Sequence, residues 1–169
     1  MDRTDLVQRA SQVQLLLSDV DGTLTDGFLY YVGDEVGLRF SVRDGLGLVL
    51  ARQSGLVTGV VSMRGTPSVR HRAEDLRLDE VHLAVADKAA VLREILARRG
   101  IPPAAACYIG DDLNDLPAFA EVGLPVAVAD AAEEVRRAAY FVTGRPGGQG
   151  AVREVVDLLL AARAGREPS

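Results

Sequence analysis

The chain has one cysteine, Cys107, no tryptophan and two histidines among its 169 residues. A lone cysteine allows no internal disulfide and no cysteine metal cluster, so any metal must sit on oxygen ligands or histidine. A reducing cytoplasm fits this usage. Aromatic residues make up 5% and the net charge is -5, so the basic stripe and stacking platforms of a nucleic-acid surface are missing. Small molecules are the expected partners. No run of about 18 apolar residues is present, and the segment from Met1 to Val13 is polar and mixed in charge, unlike the apolar centre of a signal peptide. Membrane insertion and export are therefore not expected.

What is present is the balance of one globular domain, with 48% hydrophobic and 25% charged residues. The expectation is a single unit over residues 1–169 with its core at about 13–163. Short apolar runs recur at Val13 to Leu17, Val57 to Ser62, Val81 to Val85, Cys107 to Ile109, Pro125 to Val128 and Tyr140 to Val142. Each is followed by polar or small residues, the pattern of a buried strand feeding a loop. Helical patterns lie between them, near Gly47 to Gln53, Pro67 to Leu76, Lys88 to Arg99, Leu113 to Val122, Glu133 to Ala139 and Ala151 to Ala162. This alternation predicts an α/β, three-layer, Rossmann-like fold with a central parallel sheet and its site outside the strands' carboxyl ends. Gly27 to Val42 breaks the alternation and reads as a projecting β-hairpin around Gly33-Asp34-Glu35. Its apolar side chains would either meet a partner chain or pack on their own domain.

The strongest chemical signal is Asp19-Val20-Asp21-Gly22-Thr23-Leu24-Thr25, directly after the first strand. Two carboxylates two residues apart can face one pocket where glycine permits a turn, one as nucleophile and the other as acid and then base. Like charges about 4 Å apart repel by roughly 4 kcal/mol at an effective dielectric near 20, and a bound cation relieves this. Magnesium suits oxygen-only ligands. A second acidic group, Gly110-Asp111-Asp112-Leu113-Asn114-Asp115, follows another apolar run. Alone it could cap a helix; paired with the first it is a metal-site candidate. Ser62 ends a strand and could bind a phosphate oxygen, although a strand-end serine is more often structural. Lys88 opens a helix, where the macrodipole disfavours a cation, so it calls for an anionic partner.

In order and spacing these four segments resemble the sequence motifs of haloacid dehalogenase (HAD) superfamily phosphatases, over roughly Gln14 to Leu160. The resemblance implies that Asp19 attacks phosphorus, Asp21 protonates the departing alcohol and activates water, and Ser62 and Lys88 hold the transferring group. It also implies a magnesium ion on the Asp19 carboxylate, the Asp21 carbonyl and Asp111, with Asp112 and Asp115 in supporting roles. No separate cap domain fits between Thr25 and Ser62, and capless members borrow cover from a neighbouring subunit.

Leu24 to Gly27, Val42 to Gly47, Ala127 to Asp130 and Pro146 to Glu154 resemble the 3-deoxy-D-manno-octulosonate 8-phosphate (KDO 8-phosphate) phosphatases. That subfamily implies a homotetramer acting in lipopolysaccharide sugar synthesis, with active sites completed by the neighbouring subunit. Its substrate carries a carboxylate beside the phosphate, which arginine can grip through two parallel hydrogen bonds. Arg43, with the Asp44-Gly45 turn, Arg64 and Arg72 are the candidates. Met63 stands where the family usually has glycine, so it is a candidate pocket residue and leaves the sugar open. Nine-carbon acylneuraminate or deaminoneuraminate 9-phosphates are the alternative substrates. A non-catalytic oligomerisation module, like those appended to sugar cytidylyltransferases, and a phosphoacceptor receiver domain are alternatives of another class. The intact set of mutually repelling acids speaks against the first, and the motif order against the second.

Overall fold

The apolar runs become a six-stranded parallel sheet in the computed structural model, which describes residues 3–33 and 35–166. Asp34, at the centre of the expected hairpin turn, lies outside the described residues. Strands β1 (Leu15–Ser18), β4 (Val57–Val61), β5 (Glu80–His82), β6 (Ala106–Gly110), β7 (Leu124–Ala127) and β8 (Phe141–Val142) lie in the order β5-β4-β1-β6-β7-β8. Between β1 and β4 the chain forms a separate antiparallel pair, β2 (Tyr30–Val32) and β3 (Glu35–Gly37). All four residues of β1 are buried, as expected for a central parallel strand covered on both faces.

The helices are α1 (Arg3–Gln12), α2 (Val42–Gln53), α3 (Pro67–Leu76), α4 (Lys88–Arg99), α5 (Leu116–Phe119), α6 (Glu133–Ala138) and α7 (Ala151–Arg163). Helix α7 packs on α1 and α2, with α3 beside α2, while α4 meets α5 and α5 meets α6. Local chemistry sets the ends of α4: the Asp87 side chain accepts from Ala90 N at 3.0 Å, and Gly100 closes the helix at φ 65°.

The chain departs from its sequence pattern in three places. The polar lead is helical, because Leu6 and Ala10 form a narrow buried stripe one turn apart, outnumbered by exposed polar residues. Helix α2 starts at Val42, not Gly47, with the Ser41 hydroxyl accepting from Asp44 N. Leu113 to Val122 is not one helix: a tight turn at Leu113–Asp115 precedes the four-residue α5, since Asp112 and Asp115 cap each other's backbone there.

Hydrogen-bond register brings the chemistry together. Ser18 of β1 pairs with Val60 of β4 on one side and Ile109 of β6 on the other. The residues that leave these three strands, Asp19, Ser62 and Asp111, therefore emerge around one point. No described helix is long and apolar enough to cross a membrane.

Candidate active site

Lys88 reaches from the first turn of α4 to this point, where its Nζ contacts Asp19 Oδ2 at 2.9 Å and Asp115 Oδ1 at 2.6 Å. All three side chains are buried; Lys88 is 3% exposed. This supplies the anionic partner that a cation at a helix start requires. Burial alone would lower the Lys88 pKa, but the two carboxylates prevail and hold its ammonium above the ordinary value.

The acids are raised as well, but here burial itself drives the rise, because it favours their neutral form. Burial, reinforced by the Asp115 charge, pushes Asp19 up to about 7 against the pull of Lys88. Asp111 also rises to about 7, through burial and then the charge of Asp19, although the Thr23 hydroxyl donates to its Oδ1 at 2.9 Å. Oxygens of Asp19, Asp111 and Asp115 lie within 4.8 Å of one another. Asp115 is already saturated: Oδ1 accepts from Lys88 and from the Tyr108 hydroxyl, and Oδ2 from the backbone N–H groups of Asp111 and Asp112. Asp19 and Asp111 are therefore the carboxylates left to meet a cation. This donor set, all oxygen and anionic, fits a hard divalent ion.

The loop geometry depends on two glycines. Gly22 has φ 83°, and a Cβ there would collide with the Asp111 carboxylate. At Gly147 a Cβ would collide with the Gly22 carbonyl oxygen, so the glycine-rich stretch Gly147 to Gly150 packs directly on the first acidic loop. Gly148 N donates to Thr23 O at 2.9 Å and fastens the two together.

A cavity of about 380 Å³ opens over the acids, lined by Asp19, Asp21, Ser62, Met63, Arg64, Asp111, Asp112 and Asn114. The Ser62 hydroxyl accepts from Arg64 N at 3.1 Å. Asp21 Oδ2 accepts from Arg64 Nε at 3.3 Å, while its Oδ1 is buried without a protein partner.

Comparison with known proteins places the chain in a family. Residues 78–155 match the haloacid dehalogenase-like hydrolase family. The 3-deoxy-D-manno-octulosonate 8-phosphate phosphatase of Yersinia pestis is 40% identical over 160 residues, 94% of this chain and 86% of that protein. The chain belongs to this phosphatase family. The corresponding enzyme of Escherichia coli (strain K12) is 38% identical over 94% of this chain and 85% of its own length. The phosphatase from Moraxella catarrhalis, crystallised with magnesium, phosphate and KDO, superposes with a TM-score of 0.93. Its identity is 35%, covering 96% of this chain and 94% of that one.

Within this KDO 8-phosphate phosphatase family member, the residues singled out in the sequence divide into two groups. Asp19, Asp21, Ser62, Met63, Arg64, Asp111 and Asp112 line the cavity, with Lys88 and Asp115 against Asp19. Arg43, Asp44, Gly45 and Arg72 lie elsewhere in the chain. Arg43 lines a separate groove beside α7. Asp44 is buried with its two oxygens taken by Gly150 N and Arg153 N. A Cβ at Gly45 would strike the Arg72 guanidinium, which donates to Ser41 O and lies over the Phe40 ring. Arg43 to Gly45 belong to the first turn of α2, not to a loop turn.

Three further residues at the candidate site are not among those singled out in the sequence. Thr23 and Asn114 stand inside the two acidic motifs with no role assigned from sequence; in the structure the Thr23 hydroxyl donates to Asp111 and the Asn114 amide approaches Met63 Sδ at 3.1 Å. Tyr108 looked like strand core; a buried tyrosine hydroxyl that must find a partner was the available signal.

Proposed function

We propose that the protein is a magnesium-dependent phosphomonoesterase that hydrolyses 3-deoxy-D-manno-octulosonate 8-phosphate to KDO and phosphate. The observation that carries this reading is the buried Asp19–Lys88–Asp115 cluster at the ends of β1 and β6, in a chain 40% identical to such phosphatases.

In the proposed mechanism an Asp19 carboxylate oxygen attacks phosphorus as the bond to the sugar oxygen breaks, giving an aspartyl phosphate. Asp21 delivers a proton to the departing alkoxide; its unpartnered Oδ1 can carry that proton. The same carboxylate then takes a proton from the water that attacks the phosphorus, and phosphate leaves with Asp19 restored. Val20 N on Asp19 Oδ1 at 2.7 Å and Lys88 on Oδ2 fix the nucleophile's orientation. Ser62 and Lys88 hold the phosphoryl oxygens. A magnesium ion bound by the Asp19 and Asp111 carboxylates and the Asp21 carbonyl would neutralise charge on the transferring group.

Arg64 is the proposed grip for the substrate's carboxylate, since it stands beside Asp21 at the cavity wall. Met63, half exposed, limits the space available to the sugar. Phe28, Tyr31 and Val32 are exposed on or beside the hairpin by 67%, 70% and 72%. That apolar surface supports a homotetramer whose neighbouring subunit completes each site, which is also the proposed context for Arg43. The cytoplasm is the proposed location, in keeping with the buried free thiol of Cys107. Replacing Asp19 by Asn tests the nucleophile: phosphate release is expected to fall at least about a thousandfold with the fold retained. Near-normal turnover would overturn it.

A further inference from the structure

Tyr108 is fully buried in β6 with its ring edge-on to Phe119. Its hydroxyl donates to Asp115 Oδ1 at 2.9 Å, the same oxygen that takes Lys88 Nζ at 2.6 Å. The other acceptor within reach, the Val61 carbonyl oxygen, is at 3.5 Å, beyond the usual range for such a bond. Asp115 Oδ2 is held by Asp111 N at 2.9 Å and Asp112 N at 3.3 Å. The Tyr108 hydroxyl is thus the one side-chain donor besides Lys88 on this carboxylate among the described residues.

We infer that Tyr108 is a positioning residue for phosphoryl transfer: its hydroxyl shares Asp115 Oδ1 with Lys88 and so keeps the ammonium balanced between Asp115 and Asp19. This rests on the reading of Asp19 as nucleophile. Tyr108 touches no reacting atom; it acts through Asp115 and Lys88. Without the hydroxyl, Asp115 Oδ1 keeps Lys88 as its sole side-chain donor, and that buried ion pair draws tighter. Lys88 then withdraws from Asp19 Oδ2, leaving Val20 N as the other anchor of the nucleophile. A carboxylate free to turn about that anchor spends less time aimed at phosphorus, which lowers the rate of the chemical step and leaves substrate binding largely intact.

Tyr108→Phe keeps the ring and its contact with Phe119 and removes one oxygen. With saturating magnesium, kcat on both a sugar-acid phosphate and an aryl phosphate is expected to fall about tenfold. KM should stay within about twofold, and the melting temperature should change little. Coupling supplies the second measurement: in an Asp115→Asn background the same substitution should cause almost no additional loss. Unchanged kcat in Tyr108→Phe overturns the inference. So does a loss explained by a reduced folded fraction, or a full tenfold loss repeated in the Asp115→Asn background. Asp19→Asn is assayed in parallel: if it retains turnover, the nucleophile assignment itself fails. If it is inactive while Tyr108→Phe is unaffected, the positioning role alone fails.

Discussion

Arg64 faces two carboxylates in turn, that of Asp21 in the structure and, in the proposed complex, that of the substrate. Its exposed side chain contributes little to folding, since an ion pair of this kind is worth at most about 1 kcal/mol. Its value lies in recognition. Arg64→Ala should therefore reduce kcat/KM for a carboxylated sugar phosphate about tenfold or more, beyond any loss on a plain aryl phosphate. Equal losses on both substrates would remove the assigned role. At this scale the sequence was most legible where several charges converge. Asp19, Asp21 and Asp111 stand in short motifs at strand ends, and a shared cation site accounts for such clustering of like charge. Asp44 and Arg72 carry the same charges but spend them on backbone groups, and nothing in the residue types distinguishes those uses.

Helix α7 shows how one element can supply another's missing part. Its N-cap is Gly150, with φ 106° and no side chain to supply a cap. Asp44 on α2 serves instead, accepting from Gly150 N at 3.0 Å and Arg153 N at 2.8 Å. Asp44→Ala should cost about 2 kcal/mol, because one buried and one part-buried N–H group lose their acceptor. A melting-temperature drop of roughly 4–8 °C is expected by calorimetry. Asp44→Asn keeps one acceptor oxygen and should lose less, whereas an unchanged melting point in Asp44→Ala would contradict the capping role. Among the elements, those with their own caps and wide apolar faces were readable from sequence, as α4 was with Asp87 and Gly100. Helix α1 is not, since its buried stripe is Leu6 and Ala10 alone, and the first turn of α2 is hidden because Arg43 and Asp44 look like loop residues.

Across the whole molecule, the parallel sheet was legible because each apolar run ends in a polar loop. Strand order was not, because neighbours such as β1 and β6 are far apart in sequence. Folding also concentrates carboxylates whose pKa values move in opposite directions, which fixes how stability depends on pH. Asp19 and Asp111 rise from the ordinary carboxylate range to about 7. The metal-free folded state then holds more protons than the unfolded chain, and stability from these groups falls as pH climbs from about 4 to 7. Glu80 behaves oppositely: burial tends to raise it, but hydrogen bonds from His82, Arg98 and Arg99 hold it at about 2. Its contribution is present above about 4.5 and is lost as pH falls toward 2. Metal-free protein should thus melt at a lower temperature at pH 8 than at pH 5. Magnesium should raise the melting point more at pH 8, where its carboxylate ligands are ionised. A magnesium effect that shrinks with rising pH would contradict this assignment.

The central claim is tested most directly by phosphate release, with and without magnesium, across a small panel. The panel holds 3-deoxy-D-manno-octulosonate 8-phosphate, N-acetylneuraminate 9-phosphate, deaminoneuraminate 9-phosphate and simple hexose phosphates. The account predicts magnesium-dependent release with a strong preference for the first. Preference for a nine-carbon acid would contradict the substrate while leaving the mechanism, and no release from any of them would contradict the enzyme.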